Sequence, residues 1–91
     1  MKKTFSQLKK DLQVNTKLKC IYNYYGKNIG TIRRISRTQT NAVIIETIKE
    51  GNIVESFLWF PAKASQCEYI DNIFTFYSND NIKLLSYEII N

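Results

Sequence analysis

Thr16-Lys17-Leu18-Lys19-Cys20-Ile21-Tyr22-Asn23-Tyr24 is the stretch on which the fold turns. Leu18, Cys20, Tyr22 and Tyr24 alternate with Lys17, Lys19, Ile21 and Asn23. A period of two puts apolar groups on one face and partly charged ones on the other, the pattern of a half-buried strand. Upstream the period is different. Thr4-Phe5-Ser6-Gln7 fits a capping box, with the Thr4 hydroxyl serving the Gln7 N–H and the Gln7 side chain reaching back. Phe5, Leu8 and Leu12 fall at i, i+3 and i+7, one stripe of a short helix over about 4–13. Its end near Gln13 follows from Val14, Asn15 and Thr16, which are poor helix formers, and from the tolerance of Asn for a terminating conformation.

Downstream the strand grammar continues. Strands are expected over 29–36, 42–48, 53–60, 67–70, 73–77 and 82–90. The turns between them fall at Gly26-Lys27-Asn28, at 38–41, at Lys49-Glu50-Gly51-Asn52, at Asp71-Asn72 and at 78–81. Pro61 stops one strand, and 62–66 can form a single helical turn with Pro just ahead of it. Ile32 and Ile35 are three apart, so a bulge near Arg33-Arg34 is expected to restore the phase. Ninety-one residues make one domain, 1–91. The fold class is mainly all-β: a small antiparallel β-barrel or strongly bent sheet of 5–7 strands over about 16–90, with the helix closing one end.

Charge is unevenly distributed along the chain. Residues 1–37 carry ten of the thirteen Lys and Arg against Asp11 alone, a net of +9, whereas residues 38–91 carry a net of −4. Clustered cations make one surface a candidate for polyanions. Lys17, Lys19, Arg33 and Arg37 can share an outer face if the first two strands pair, and the helix lysines can extend that patch. Tyr22, Tyr24 and Tyr25 lie beside them as stacking platforms for unpaired bases. Tyr22 and Tyr24 are equally in phase with Leu18 and Cys20, so both are also candidates for the core. Tyr25 and the arginines escape that alternative best, since three arginines in five residues exceed what solubility needs. The nucleic-acid-binding set is therefore Lys17, Lys19, Tyr25, Lys27, Arg33, Arg34 and Arg37.

Phe57-Leu58-Trp59-Phe60 puts bulk on both faces of one strand, so half of it needs a second cover. The helix or the 62–66 turn supplies that cover, or part of the run is a binding patch with Trp59 as its protein-interface anchor.

Catalysis is not expected. The chain has no His, which removes the commonest general base and the usual triads. Glu46, Glu50, Glu55 and Glu68 are not united by any motif, and no Gly-rich phosphate loop is present. No metal and no cofactor is expected: Cys20 and Cys67 form no CxxC, and Asp80 with its Asn neighbours is too sparse for an oxygen-only site. Both Cys sit in strand-like stretches and are expected as buried free thiols. No apolar run reaches the roughly 18 residues of a membrane span. The opening MKKTFSQLKK lacks the apolar region of a signal peptide. A cytoplasmic protein without membrane contact is the expectation.

Ile, Asn and Lys make up 32 of the 91 residues, a bias that AT-rich codons favour and that points to a low-GC bacterium or its phages. The motifs Thr38-Gln39-Thr40-Asn41, Leu58-Trp59-Phe60-Pro61-Ala62-Lys63-Ala64-Ser65, Ile73-Phe74-Thr75-Phe76-Tyr77 and Leu84-Leu85-Ser86-Tyr87-Glu88-Ile89 carry a resemblance over about 16–90. The chain resembles small proteins of Gram-positive phages, plasmids and integrated mobile elements, a group with no agreed activity. That resemblance implies a role in handling nucleic acid or in blocking a host protein. Two functions follow as expectations. One is a non-catalytic module whose basic half contacts nucleic acid or a nucleic-acid-bound host protein. The other is a protein–protein interaction module that inhibits a host protein such as a defence-system nuclease, in the manner of anti-CRISPR or anti-restriction proteins.

Overall fold

The computed structural model describes residues 1–90. In chain order its elements are β1 (Lys2–Lys3), α1 (Phe5–Asp11), β2 (Lys17–Asn23), β3 (Ile32–Thr38), β4 (Ala42–Lys49), β5 (Asn52–Trp59), a 3-10 turn (Ala64–Gln66), β6 (Cys67–Ile70), β7 (Ile73–Tyr77) and β8 (Lys83–Ile90). The eight strands form one antiparallel sheet in the order β1-β6-β7-β8-β2-β3-β4-β5. The mainly-β expectation holds, with two corrections. The sheet is open, with β1 and β5 as free edges, so it is not a closed barrel. There are eight strands and not five to seven, because Lys2–Lys3 pairs with Ile70 and Tyr69. A two-residue strand has no periodicity to read; the Asp71 N–H donating to the Met1 carbonyl at 3.0 Å helps to hold it.

The sheet nevertheless curls around the helix. Leu8 and Leu12 of the helical segment share one buried cluster with Leu18, Cys20, Ile35, Val43, Ile45, Leu58, Tyr69, Phe74, Phe76, Tyr87 and Ile89. Phe60, just past β5, reaches Phe76 of β7 at 6.3 Å and Phe5 at 5.7 Å between ring centroids. Those partners stand far apart in strand order, and only a strongly curved sheet brings them together. A helix of seven residues is too short to persist alone, so burial of its Phe5-Leu8-Leu12 stripe is what stabilises it. The Gln7 N–H donates to Thr4 Oγ1 at 3.1 Å as the capping pattern requires. The Gln7 side chain does not reach back; its Nε2 donates to Asp11 Oδ1 at 2.8 Å. The helix ends at Asp11, short of Gln13, and Asn15 takes the left-handed conformation at φ 75°. No helix among the described residues is long and apolar enough to cross a membrane.

Bulges, more than alternation, decide which way several side chains face. The β2–β8 register shifts between Cys20 and Tyr22, leaving Ile21 as the extra residue. Tyr22 therefore leaves the face it would share with Leu18 and Cys20 and stands opposite Ser86 on the outer side. Ser86 and Thr75 are buried there, their hydroxyls 3.0 Å apart. Tyr22 lies over this strand pair with the Lys83 ammonium 4.5 Å from its ring, so it is not a core residue. Tyr24 is also exposed. The bulge expected at Arg33-Arg34 is instead at Ser36, between Ile35 and Arg37. No shift restores Ile32, which is 58% exposed. Both Cys are free thiols; Cys20 is buried and Cys67 half-buried.

The helix is fixed to the sheet by a hydrogen bond from the Tyr69 hydroxyl to Asp11 Oδ2 at 2.7 Å. That bond, above all, holds the Asp11 carboxyl below its ordinary value despite opposing desolvation. A carboxyl lowered in the fold adds stability that is present above its unfolded value near 3.9 and is lost as the pH falls through the folded value. Tyr69→Phe should therefore lower stability by about 1.5 kcal/mol at pH 7, the low end for a hydrogen bond to a charged group. It should also flatten the fall in Tm below about pH 4. Thermal unfolding of both proteins from pH 2 to 7 reads both effects, and parallel pH profiles would rule out this coupling.

Candidate functional site

The outer faces of β2, β3, β4 and β5 carry a transverse row of charge. Lys17 stands opposite Arg34 and Lys19 opposite Glu88, while Glu46 stands opposite Glu55. Two like carboxylates in register are unfavourable unless neutralised. Arg34 and Arg37 supply that neutralisation. Arg34 grips Glu46 with both prongs of its fork, Nε to Oε1 at 2.9 Å and Nη2 to Oε2 at 2.8 Å, and its Nη1 donates to Asn15 Oδ1. The hydrogen bonds to Glu46, more than its charge, raise the Arg34 pKa. Arg37 Nη2 donates to Glu55 Oε1 at 3.2 Å, and the bulged Ser36 hydroxyl donates to Glu55 Oε2 at 2.7 Å. The Ser36 bond is the largest cause holding the Glu55 carboxyl below its usual range.

The nominated basic residues are only partly brought together. Lys17, Lys19, Arg34 and Arg37 share the outer face, where Glu46, Glu55 and Glu88 stand among them. Arg33 does not join them. It lies opposite Leu18, on the inner face, where its charge is felt by Cys20 and Tyr87. Tyr25 and Lys27 sit on the β2–β3 loop, Tyr25 packed edge-on against Tyr24 at 5.3 Å. Lys9 of the helix does not extend the patch, because its ammonium rests 4.7 Å from the Phe5 ring and 5.5 Å from the Phe60 ring. The segregation of charge along the chain is thus partly offset in space, since Arg34 and Arg37 of β3 are set against Glu46 of β4 and Glu55 of β5.

No family model, no curated protein and no solved structure matches the chain. What it does is therefore argued from its surfaces. The four-residue aromatic run divides as strand geometry requires. Leu58 faces the core and Phe60 packs against it. Phe57 and Trp59 face outward, 47% and 60% exposed, with ring centroids 4.9 Å apart. Beneath them Ile44 and Ala42, their register partners on β4, are fully buried although they belong to the outer face. Neither the helix nor the 3-10 turn covers this pair. Trp59 also lines an apolar cleft of about 390 Å³ with Phe60, Pro61, Phe76, Leu84 and Leu85.

β5 is moreover one of the two open edges of the sheet. The Phe60 N–H donates to the Asn41 carbonyl at 2.9 Å, so by alternation the amides of Val54, Ser56 and Leu58 point to β4. Those of Ile53, Glu55, Phe57 and Trp59 point to the free edge. An eight-residue edge strand with exposed Ile53, Phe57 and Trp59 is a template for a further strand. The sequence signal for this surface was the aromatic run itself; the open edge had none, because a period of two does not say whether a strand has one neighbour or two.

Among the described residues no three His, Cys, Asp or Glu side chains gather as a metal site would require. Burial, with Glu68 second, pushes the Cys67 thiol up to about 11, and burial also raises Cys20. Alkylation of Cys67 in the folded protein at pH 8 should run about two orders of magnitude slower than that of a free thiol, because the thiolate fraction falls by that factor. Rapid labelling of Cys67 with the fold intact would contradict the assignment. The Arg34–Glu46 pair should show a favourable coupling in a double-mutant cycle of Arg34→Gln and Glu46→Gln by urea unfolding. That coupling should shrink at 1 M salt, and a zero value at low salt would remove the pair's structural role.

Proposed function

We propose that this chain is a non-catalytic protein-interaction module that docks its partner along β5. The observation that carries the reading is the Phe57–Trp59 pair, outward-facing and uncovered, on a strand whose own edge amides are free. A partner strand laid along β5 gains main-chain hydrogen bonds from the edge and side-chain contact from the aromatic pair, the two sources of affinity and specificity in strand addition. The cleft beside Trp59 offers a pocket for an anchoring side chain, as interface hot spots favour. Inhibition of a host protein, the role implied by the likeness to mobile-element proteins, requires only that such docking cover the host protein's working surface.

A second reading, contact with nucleic acid, is favoured by Tyr24, Tyr25 and Lys27, which are exposed together on the β2–β3 loop above the Lys17 and Lys19 strand. It is the weaker of the two, since Arg34 and Arg37 already hold carboxylates.

One experiment separates them. The tagged protein is used to capture partners from its native host with and without nuclease. Two variants are run beside it: Trp59→Ser, which removes the anchor, and Ile53→Pro, which removes an amide that faces the open edge and no β4 ladder bond. Capture is expected to survive nuclease and to fall at least tenfold with each variant, while both variants keep the parent's circular dichroism spectrum. Capture lost on nuclease treatment and unchanged in both variants would overturn the proposal. A parallel titration with single-stranded DNA and RNA at low salt should then give a log–log salt slope of about 3–6 that shrinks on mutation of Lys17, Lys19 and Lys27.

A further inference from the structure

β3 is shared unevenly between its neighbours. Its first half, Ile32 to Arg34, pairs with β2, and its second half, from Ile35 to Thr38, pairs with β4. The Cys20 N–H donates to the Thr31 carbonyl at 2.9 Å and the Ile35 N–H to the Thr16 carbonyl at 2.9 Å. Thr31 and Ile35 therefore aim their ladder groups at β2, and by alternation Ile32 aims its N–H and C=O towards β4. The β3–β4 register, however, stops at Ile35 opposite Ile45. Beyond that point β4 leaves β3 and pairs with β5 alone, so a slot opens between Ile32-Arg33 on one side and Glu46-Thr47-Ile48 on the other. It measures about 300 Å³, with Asn28 and Thr31 closing one end.

Three features of this slot are unexplained by folding. Arg33, half-buried, is the one arginine of three that forms no ion pair among the described residues. Thr47 Oγ1 is the one buried side-chain oxygen or nitrogen among them without a hydrogen-bond partner. An unsatisfied buried hydroxyl is costly enough to need a reason. The main-chain N–H of Ile32 faces the slot with no strand opposite it.

We propose that the slot between β3 and β4 binds a small carboxylate, with Arg33 as its cation and Thr47 Oγ1 and the Ile32 N–H as further donors. A guanidinium fork matches a planar carboxylate in shape and in charge. One cation balances one negative charge. A phosphate dianion would be only half balanced and would also face Glu46, whose two oxygens are already taken by Arg34. The exposed side chains of Ile32 and Ile48 flank the slot and suit a short apolar body attached to the carboxylate. A volume of about 300 Å³ is at the lower limit for ligand sites, which restricts the occupant to a small organic acid or the last residue of a peptide. This site is separate from the aromatic surface of β5.

The test is a titration of 15N-labelled protein followed by amide shifts. The probes are isovalerate, inorganic phosphate at matched ionic strength, and a short peptide ending in Val with a free or an amidated C-terminus. Isovalerate and the free-ended peptide are expected to shift Ile32, Arg33 and Thr47 saturably, with Kd of about 1 mM or tighter. Phosphate and the amidated peptide are expected to leave them unmoved. Tenfold tighter binding of the peptide identifies a chain terminus as the occupant, and equal affinities identify a free acid. Arg33→Gln should abolish the shifts. Thr47→Val should weaken binding about tenfold without lowering the ligand-free Tm, since it removes an unsatisfied hydroxyl at constant shape. The proposal is overturned by any of three results: no saturable shift from either carboxylate, shifts that persist in Arg33→Gln, or phosphate binding more tightly than isovalerate. A lowered ligand-free Tm in Thr47→Val would likewise overturn the assignment of that hydroxyl.

Discussion

Pairing of β2 with β8 joins two halves that have no other main-chain ladder between them. β1, β6, β7 and β8 lie on one side of it, and β2, β3, β4 and β5 on the other. At this seam Leu18 faces Ile89 and Cys20 faces Tyr87, all buried against the helix. The curvature that lets Phe60 meet Phe5 and Phe76 depends on it, because each half alone is a sheet of four strands or fewer with one apolar face uncovered. The helix completes the arrangement by filling the concavity. It is retained by Leu8 and Leu12 in the core and by the Tyr69–Asp11 hydrogen bond at its C-terminal end.

Antiparallel order also governs the electrostatics. A chain that is basic in its first part and acidic in its second need not present a basic face if its middle strands fold the two parts against each other. Here β3 brings Arg34 and Arg37 to Glu46 and Glu55, and those arginines permit two carboxylates to stand opposite each other. Exposed pairs of this kind contribute little individually to stability. Their larger effect is on partners, since cations already engaged within the fold are less free to engage phosphates. The uncompensated feature of the same surface is aromatic, the exposed pair Phe57 and Trp59, and the proposed docking strand rests on it.

The period of two from Thr16 onward was legible, and so were the turns: Glu50 and Gly51 both take positive φ in the β4–β5 hairpin, as does Asp71 in the β6–β7 hairpin. The helix stripe and its Thr4 cap were equally readable. Hidden features had physical reasons to be hidden. A bulge is one extra residue, and nothing in Cys20-Ile21-Tyr22 distinguishes a strand that alternates throughout from one that slips at Ile21. That single slip moves Tyr22 from the core to the outer face. Ile32 and Ile35 pointed to a phase shift between them that is absent: the two lie on opposite faces, the shift lies beyond Ile35 at Ser36, and unbroken alternation back from Ile35 turns Arg33 inward. The candidate sites divide in the same manner. Trp59 was visible as an excess of bulk, whereas the slot beside Arg33 exists only because β4 loses its pairing with β3 part-way along, which no local pattern records.

The early end of the β3–β4 pairing has a mechanical consequence. The β4–β5 ribbon is tied to the rest of the sheet only through the second half of β3, with the Arg34 and Arg37 side chains as lateral struts. Its far end, around the turn at Glu50-Gly51, is cantilevered from that short attachment. Regions with few main-chain ties open at a free energy well below that of global unfolding, so this ribbon is the natural unit of local motion. Flexing about Ser36 would widen or narrow the slot, while Phe57 and Trp59, opposite Ile44 and Ala42 at the attached end, keep their place.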